Sequence, residues 1–284
     1  MNELNSFQGL KTYMNDKPSA LCITHIGKRL VHEDNFLFNC HYLTPNEQKK
    51  ITDSNCHFWY SAKSTRVRLF AISDGMGGHK AGEIASRICV ENLAAAETIL
   101  HRYNSIKEAV AYLQTVIANI NDVVCDLSHK NDELNGMGAT LVLFVTLGVD
   151  CAILNIGDSR AYQLINRELI QITKDHTEGQ RMLDLGLLTR KELSDFPDRK
   201  NLSRYIGYGQ HGYILQADEY YPVIEDGLIL LCSDGITDFV TNEQIQEILR
   251  SESNIEMAGK RLIDKAVAAP NADNTTLILI SLRR

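Results

Sequence analysis

Apolar and polar positions recur along the chain with two different periods, and the switches between them mark the elements. After a polar stretch over residues 1–18 that ends at Pro18, ALCITHIG alternates as a strand does, and NFLFNCHYL follows as its hairpin partner. Residues 44–65 are rich in Asn, Asp, Ser, Lys and Gln, which predicts a long solvated connection carrying a short aromatic piece, HFWY. The β-rich run VRLFAIS then meets a Gly-dense turn, DGMGGHKAG, and Ile84, Ile88 and Leu93 beyond it fall near helical spacing. Ile106, Val110, Leu113, Ile117 and Ile120 predict a second helix with one apolar face. Two such helices can cover one side of a sheet.

From Ala139 to Ile172 the runs ATLVLFVTLG, CAILNIG, RAYQLIN and ELIQIT are separated by Gly, Asp or Asn, the pattern of an antiparallel meander. Residues 178–200 are polar with helical fragments and have the look of an inserted flap. YILQADEYYPV and GLILLCS resume strand character. NEQIQEILRSES and NIEMAGKRLIDKAVAA predict two more amphipathic helices before a closing strand, TTLILISL. Strand runs interrupted by paired helices, without βαβ alternation, predict an α+β layered sandwich with antiparallel sheets.

Composition narrows the class. At 284 residues, with 44% apolar and 23% charged positions, the chain has the make-up of a soluble globular protein. A formal net charge of −7 and no basic stripe argue against a nucleic-acid partner. The seven cysteines are scattered without a CxxC pair, which excludes a disulfide framework or zinc knuckle and fits a reducing compartment. No segment approaches the roughly 18 apolar residues of a membrane span, and no leader pattern opens the chain. The expectation is a cytoplasmic protein with no membrane partner.

The chemistry lies where strand runs end. FAIS, LNIG and LLCS each run into an acidic residue, Asp74 before Gly75, Asp158 before Ser159 and Asp234 before Gly235. Glu33-Asp34 and Asp273-Asn274 flank strands in the same way. Alone, each Asp-Gly pair is a common turn dipeptide. Together, acidic clusters at strand ends with no neighbouring His/Cys set form an all-oxygen environment suited to Mg²⁺ or Mn²⁺. Two such ions roughly 3.5–4 Å apart can make a nucleophile of water for attack on phosphorus.

The segments Arg29-LVH-Glu33-Asp34, SDGMGGH (73–79), GMGAT (136–140), NIGDSR (155–160), KDHT (174–177), CSDG (232–235) and DNTT (273–276) resemble, in order, the motif set of the type 2C (PPM) metal-dependent protein phosphatases in bacterial form. The resemblance covers roughly residues 20–284. It implies a four-layer αββα sandwich with two central antiparallel sheets flanked by helix pairs. It implies one domain over 19–284 after an N-terminal extension at 1–18, with a flap at about 178–205. Two or three Mn²⁺ or Mg²⁺ ions are implied. Asp74 would bridge two of them, Gly75 would add its carbonyl oxygen, and Glu33 would serve the second. Asp234 and Asp273 would complete the first, and Asp158 with Asp234 would hold a third. Asp34, Asn274 and His79 would stand behind these ligands, Asn274 in support of Asp273. Arg29 matches the family's phosphate-binding arginine, and a guanidinium suits that task because it takes two phosphate oxygens at once and stays charged. Met76 stands where animal members carry a histidine proposed as general acid, as in bacterial relatives.

The function so implied is hydrolysis of phosphoserine and phosphothreonine in proteins by a monomeric enzyme opposing a bacterial Ser/Thr kinase and acting on the kinase and its targets. The alternative is a catalytically silent pseudophosphatase that binds a partner, which loss of Asp74, Asp234 or Asp273 would favour; all three are present. A nucleotide-binding enzyme would want a P-loop or GxGxxG turn, and neither occurs.

Overall fold

The first strand, β1 (Ala20–His25), lies between β13 (Thr275–Ser281) and β3 (His57–Ser61) and runs antiparallel to both. The computed structural model describes residues 19–51, 57–61, 66–77, 80–222 and 227–282. The sheet containing β1 is completed by β12 (Gly227–Cys232), β9 (Arg160–Ile165) and β10 (Glu168–Gln171), in the order β10-β9-β12-β13-β1-β3. A second sheet has the order β11-β8-β7-β4-β2, built from β2 (Asn35–Phe38), β4 (Val67–Ser73), β7 (Leu141–Leu147), β8 (Asp150–Ile156) and β11 (Asp218–Tyr220). A small ribbon pairs β5 (Gly75–Met76) with β6 (Gly138–Ala139).

The inner faces of the two sheets bury Phe36, Phe70, Ile72, Phe144 and Ile153 against Cys22, Ile229, Leu231 and Ile278. Each outer face is covered by a helix pair. On the second sheet lie α2 (Lys80–Leu100) and α3 (Ile106–Lys130), whose Leu93, Leu113 and Ile117 pack on Leu69, Leu143 and Leu154. Ser105 and Glu108 start α3 with a reciprocal capping box. On the first sheet lie α7 (Asn242–Ser251) and α8 (Ile255–Val267), with Ile245, Leu262 and Ile263 against Leu21, Ile23 and Leu279. Apolar side chains on opposite faces of each sheet thus feed separate cores, and the result is the four-layer αββα sandwich. The shorter helices α1 (Pro45–Gln48), α4 (Glu178–Asp184), α5 (Arg190–Leu193) and α6 (Asp234–Thr237) sit in connections.

Pairing differs from expectation in four places. β2 is no hairpin partner of β1; it pairs with β4 in the other sheet. The 44–65 stretch contains α1, and its aromatic piece is the edge strand β3. The runs from Ala139 to Ile172 do not form one meander, because β7 and β8 stay in one sheet while β9 and β10 cross to the other. Of YILQADEYYPV, the described strand is Asp218–Tyr220 alone.

Candidate active site

Strand ends from both sheets meet at one rim. The second sheet brings Asp74 at the end of β4 and Asp158 past the end of β8; the first brings Asp234, which opens α6 after β12, and Asp273 just before β13. The β1–β2 connection adds Arg29, Glu33 and Asp34. The glycines after Asp74 and Asp234 are required by close approach. A Cβ on Gly75 would fall 2.1 Å from the carbonyl oxygen of Gly82 in α2, and one on Gly235 would fall 2.0 Å from that of Asn274.

Backbone and hydroxyl bonds hold the carboxylates. The Asp74 amide donates to Thr140 Oγ1 (3.0 Å), and the Thr140 amide donates to the Asp74 carbonyl (2.8 Å). Asp34 is fully buried, and its Oδ2 accepts from Thr276 Oγ1 (2.6 Å) and Ser233 Oγ (2.9 Å). Asn274 pins the preceding loop: its Oδ1 accepts the Glu33 amide (2.7 Å), and its Nδ2 donates to the carbonyls of Ile26 (2.8 Å) and Val31 (3.1 Å). The Asn274 amide donates to Asp273 Oδ1 (2.8 Å), while Asp273 Oδ2 accepts from Arg29 (2.5 Å).

The electrostatics are those of acids crowded away from water. Burial, with the charges of Asp273 and Glu83 and against that of Arg29, pushes Glu33 up to about 7. Burial lifts Asp34 to about 7 despite its two hydroxyl donors, with Asp234 and Asp273 adding to the rise. Asp158 reaches about 8 through burial, Asp234 and Asp175, and Asp234 about 6 through burial, Asp238 and Asp273. Asp74 stands well above the carboxylate range through burial and the charges of Asp34, Asp234 and Asp158.

Two buried oxygens, Glu33 Oε1 and Asp34 Oδ1, have no hydrogen-bond partner. Unsatisfied anionic oxygens in an all-oxygen set fit a hard divalent cation. Among the described residues no three His, Cys, Asp or Glu side chains already stand in a coordination shell. The donors are gathered but not yet closed around a centre. His79 lies outside the described residues.

Several supporting residues escaped sequence reasoning. Thr140 bonds Ser159 Oγ (2.7 Å), and Thr24 joins Thr276 (2.7 Å) to His32 (2.9 Å). Ser159, His32 and Thr276 lie in or beside acidic motifs, but no acidic residue next to Thr24 or Thr140 in the sequence marks them. Beside Asp158, Arg160 grips Asp175 through two bonds (2.8 and 2.6 Å), and His176 accepts the Gly157 amide (2.9 Å). These bonds fasten the loop before α4 to the end of β8. Lys200 reaches Asp238 (2.5 Å), tying the segment after α5 to the end of the Asp234-bearing helix.

The family model described as Protein phosphatase 2C matches residues 41–275. Arg29, Glu33 and Asp34 precede that span, so their place at the rim rests on the geometry above. The serine/threonine phosphatase stp of Listeria monocytogenes is 32% identical over 75% of this chain and 83% of its own. The serine/threonine protein phosphatase PstP of Mycobacterium tuberculosis is 34% identical over 75% of this chain and 40% of its own. Among solved structures, the serine/threonine phosphatase Stp1 of Staphylococcus aureus superimposes with a TM-score of 0.76 at 28% identity, covering 94% of this chain and 96% of that one.

Proposed function

The chain belongs to the protein phosphatase 2C family and is a serine/threonine phosphatase, and on that premise we propose that it hydrolyses phosphoserine and phosphothreonine in proteins by direct attack of water on phosphorus. The observation that carries the mechanism is the crowd of carboxyls around Asp74, with buried oxygens of Glu33 and Asp34 left unpartnered. The family is metal-dependent. Glu33, Asp74, the Gly75 carbonyl, Asp158, Asp234 and Asp273 would hold two or three Mn²⁺ or Mg²⁺ ions. Bound there, the cations acidify water and neutralise phosphate charge.

The chain's own residues do the rest. Asp34 and Asn274 keep the acidic loops in register from below. Arg29 is paired with Asp273; were Asp273 to hold a cation, the guanidinium would be available to take two phosphoryl oxygens, for which its fork and permanent charge suit it. Met76 has no proton to give, so the leaving oxygen takes its proton from water or from another group at the rim.

We assign residues 19–284 to one phosphatase domain after an extension at 1–18, with 178–205 as a flap over the rim and a monomer as the working form. No helix among the described residues is long and apolar enough to cross a membrane. The described cysteines are free, which supports a reducing, cytoplasmic setting. Phosphoproteins, including a Ser/Thr kinase whose action it opposes, would be the partners.

Phosphate release from a phosphothreonine peptide tests this. Turnover is expected with Mn²⁺ or Mg²⁺, none in EDTA, and a loss of about a thousandfold in Asp74→Asn. Folded protein that releases no phosphate with any divalent cation would sink the hydrolytic reading in favour of a silent binding module.

A further inference from the structure

An aromatic face leads away from the rim. Ile206 exchanges both backbone hydrogen bonds with Ala139 (3.0 and 2.8 Å), an isolated antiparallel bridge on the outer edge of the β5–β6 ribbon that begins beside Asp74. Across this ribbon, Met76 and Tyr205 converge over the bare Cα of Gly138. A Cβ there would lie 2.8 Å from the Tyr205 ring and 2.9 Å from the Met76 methyl. The rings continue outward: Tyr205 meets Tyr208 edge-on at 5.5 Å, and Tyr208 meets Tyr213 at 5.6 Å. Tyr208 is 38% exposed, Tyr213 44% and Ile214 75%.

The backbone under these rings is held firmly. Asn121 of α3 accepts the Gly207 amide (2.7 Å) and donates to the Tyr208 carbonyl (3.3 Å). Asp122 accepts the Gly212 amide (2.8 Å), and Gln114 brackets Ala217 with two bonds of 2.9 Å. Gly209 takes φ +86°, and the Tyr213 ring lies 3.0 Å from where its Cβ would be, so the loop folds back on its own aromatic. Exposed rings fixed in place lose little freedom when a partner covers them, which is the condition for an anchoring surface.

We infer that Tyr205, Tyr208 and Tyr213 form a subsite for an aliphatic or aromatic side chain flanking the phosphorylated residue of a protein substrate. The inference rests on the phosphatase reading. The occupant follows from continuity: the face starts at Met76, next to Asp74 and Gly75, so a chain with its phosphoryl group at the rim lies across the rings.

The test compares wild type with the Tyr208→Ser/Tyr213→Ser double variant on three substrates. These are a phosphothreonine peptide with Phe and Leu beside the phosphorylated residue, the same peptide with Ala at those positions, and p-nitrophenyl phosphate. Wild type is expected to favour the apolar peptide about tenfold in kcat/KM, chiefly through KM, and the double variant to lose that preference. Melting curves establish that both proteins are folded. The inference is overturned if the double variant keeps the preference, or if wild type releases phosphate from all three substrates without one. It is equally overturned if the substitutions alter only self-association in sedimentation, which would assign the face to a second copy of the chain. No release by wild type from any substrate, the small ester included, defeats the phosphatase reading itself and this subsite with it.

Discussion

Asp158 feels the charge of Asp175, yet different groups meet the two carboxyls. Asp175 is met by Arg160 through two bonds and by the Gln171 side chain (3.3 Å). Asp158 faces burial and further acids, and is pushed up to about 8. A carboxylate matched by a guanidinium serves the architecture, because its charge is already answered by the protein. One left among like charges is held at a cost that only a ligand repays. The same contrast separates the Asp34, Glu33, Asp74 and Asp234 group from the ordinary ion pairs elsewhere.

The widest separation should come from paired substitutions. Asp175→Asn is expected to remove about 2–3 kcal/mol of stability, because it strands a largely buried arginine. Asp158→Asn should leave stability unchanged or raise it in EDTA, because it relieves repulsion. Urea titrations of both variants in EDTA check this; equal losses would erase the distinction.

A smaller effect follows from pH. The raised carboxyls of Glu33, Asp34, Asp158 and Asp234 bind protons more tightly in the folded protein than in the unfolded chain. Their contribution to stability is therefore full below about pH 4 and is lost as pH climbs through about 6 to 8. In EDTA the melting temperature should fall by about 5 °C from pH 5.5 to 8.5, and saturating Mn²⁺ or Mg²⁺ should abolish or reverse that slope. A melt that ignores both chelator and pH would show that the carboxyls are not crowded in solution. Least affected should be Lys200→Ala, which breaks an ion pair open to solvent: calorimetry should show a shift below about 2 °C.

The long amphipathic helices and the acids at strand ends were legible because both are local patterns: helical spacing at Ile106, Val110 and Leu113, and Asp following an apolar run. Sheet partnership was not. β2, β7 and β9 share one kind of run, and period-two alternation does not say which sheet a strand joins. HFWY read as loop because its polar neighbours dominate the window, whereas its place beside β1 is set by contacts distant in sequence. In the site, the acids were visible, but the hydroxyls of Thr140, Ser233 and Thr276 that seat them were not. Serine and threonine carry no pattern of their own, and their role appears only when strands from both sheets meet.

The partnership of β1 with β13 also has a meaning in time. Ala20 pairs with Ile280, so β1 waits beside an empty neighbour until translation has reached β13. Asp273 arrives only with that strand. A nascent chain can thus build the α2–α3 layer early, yet it has no complete acidic rim, and no hydrolytic capacity, until the segment carrying Asp273 and β13 has been made.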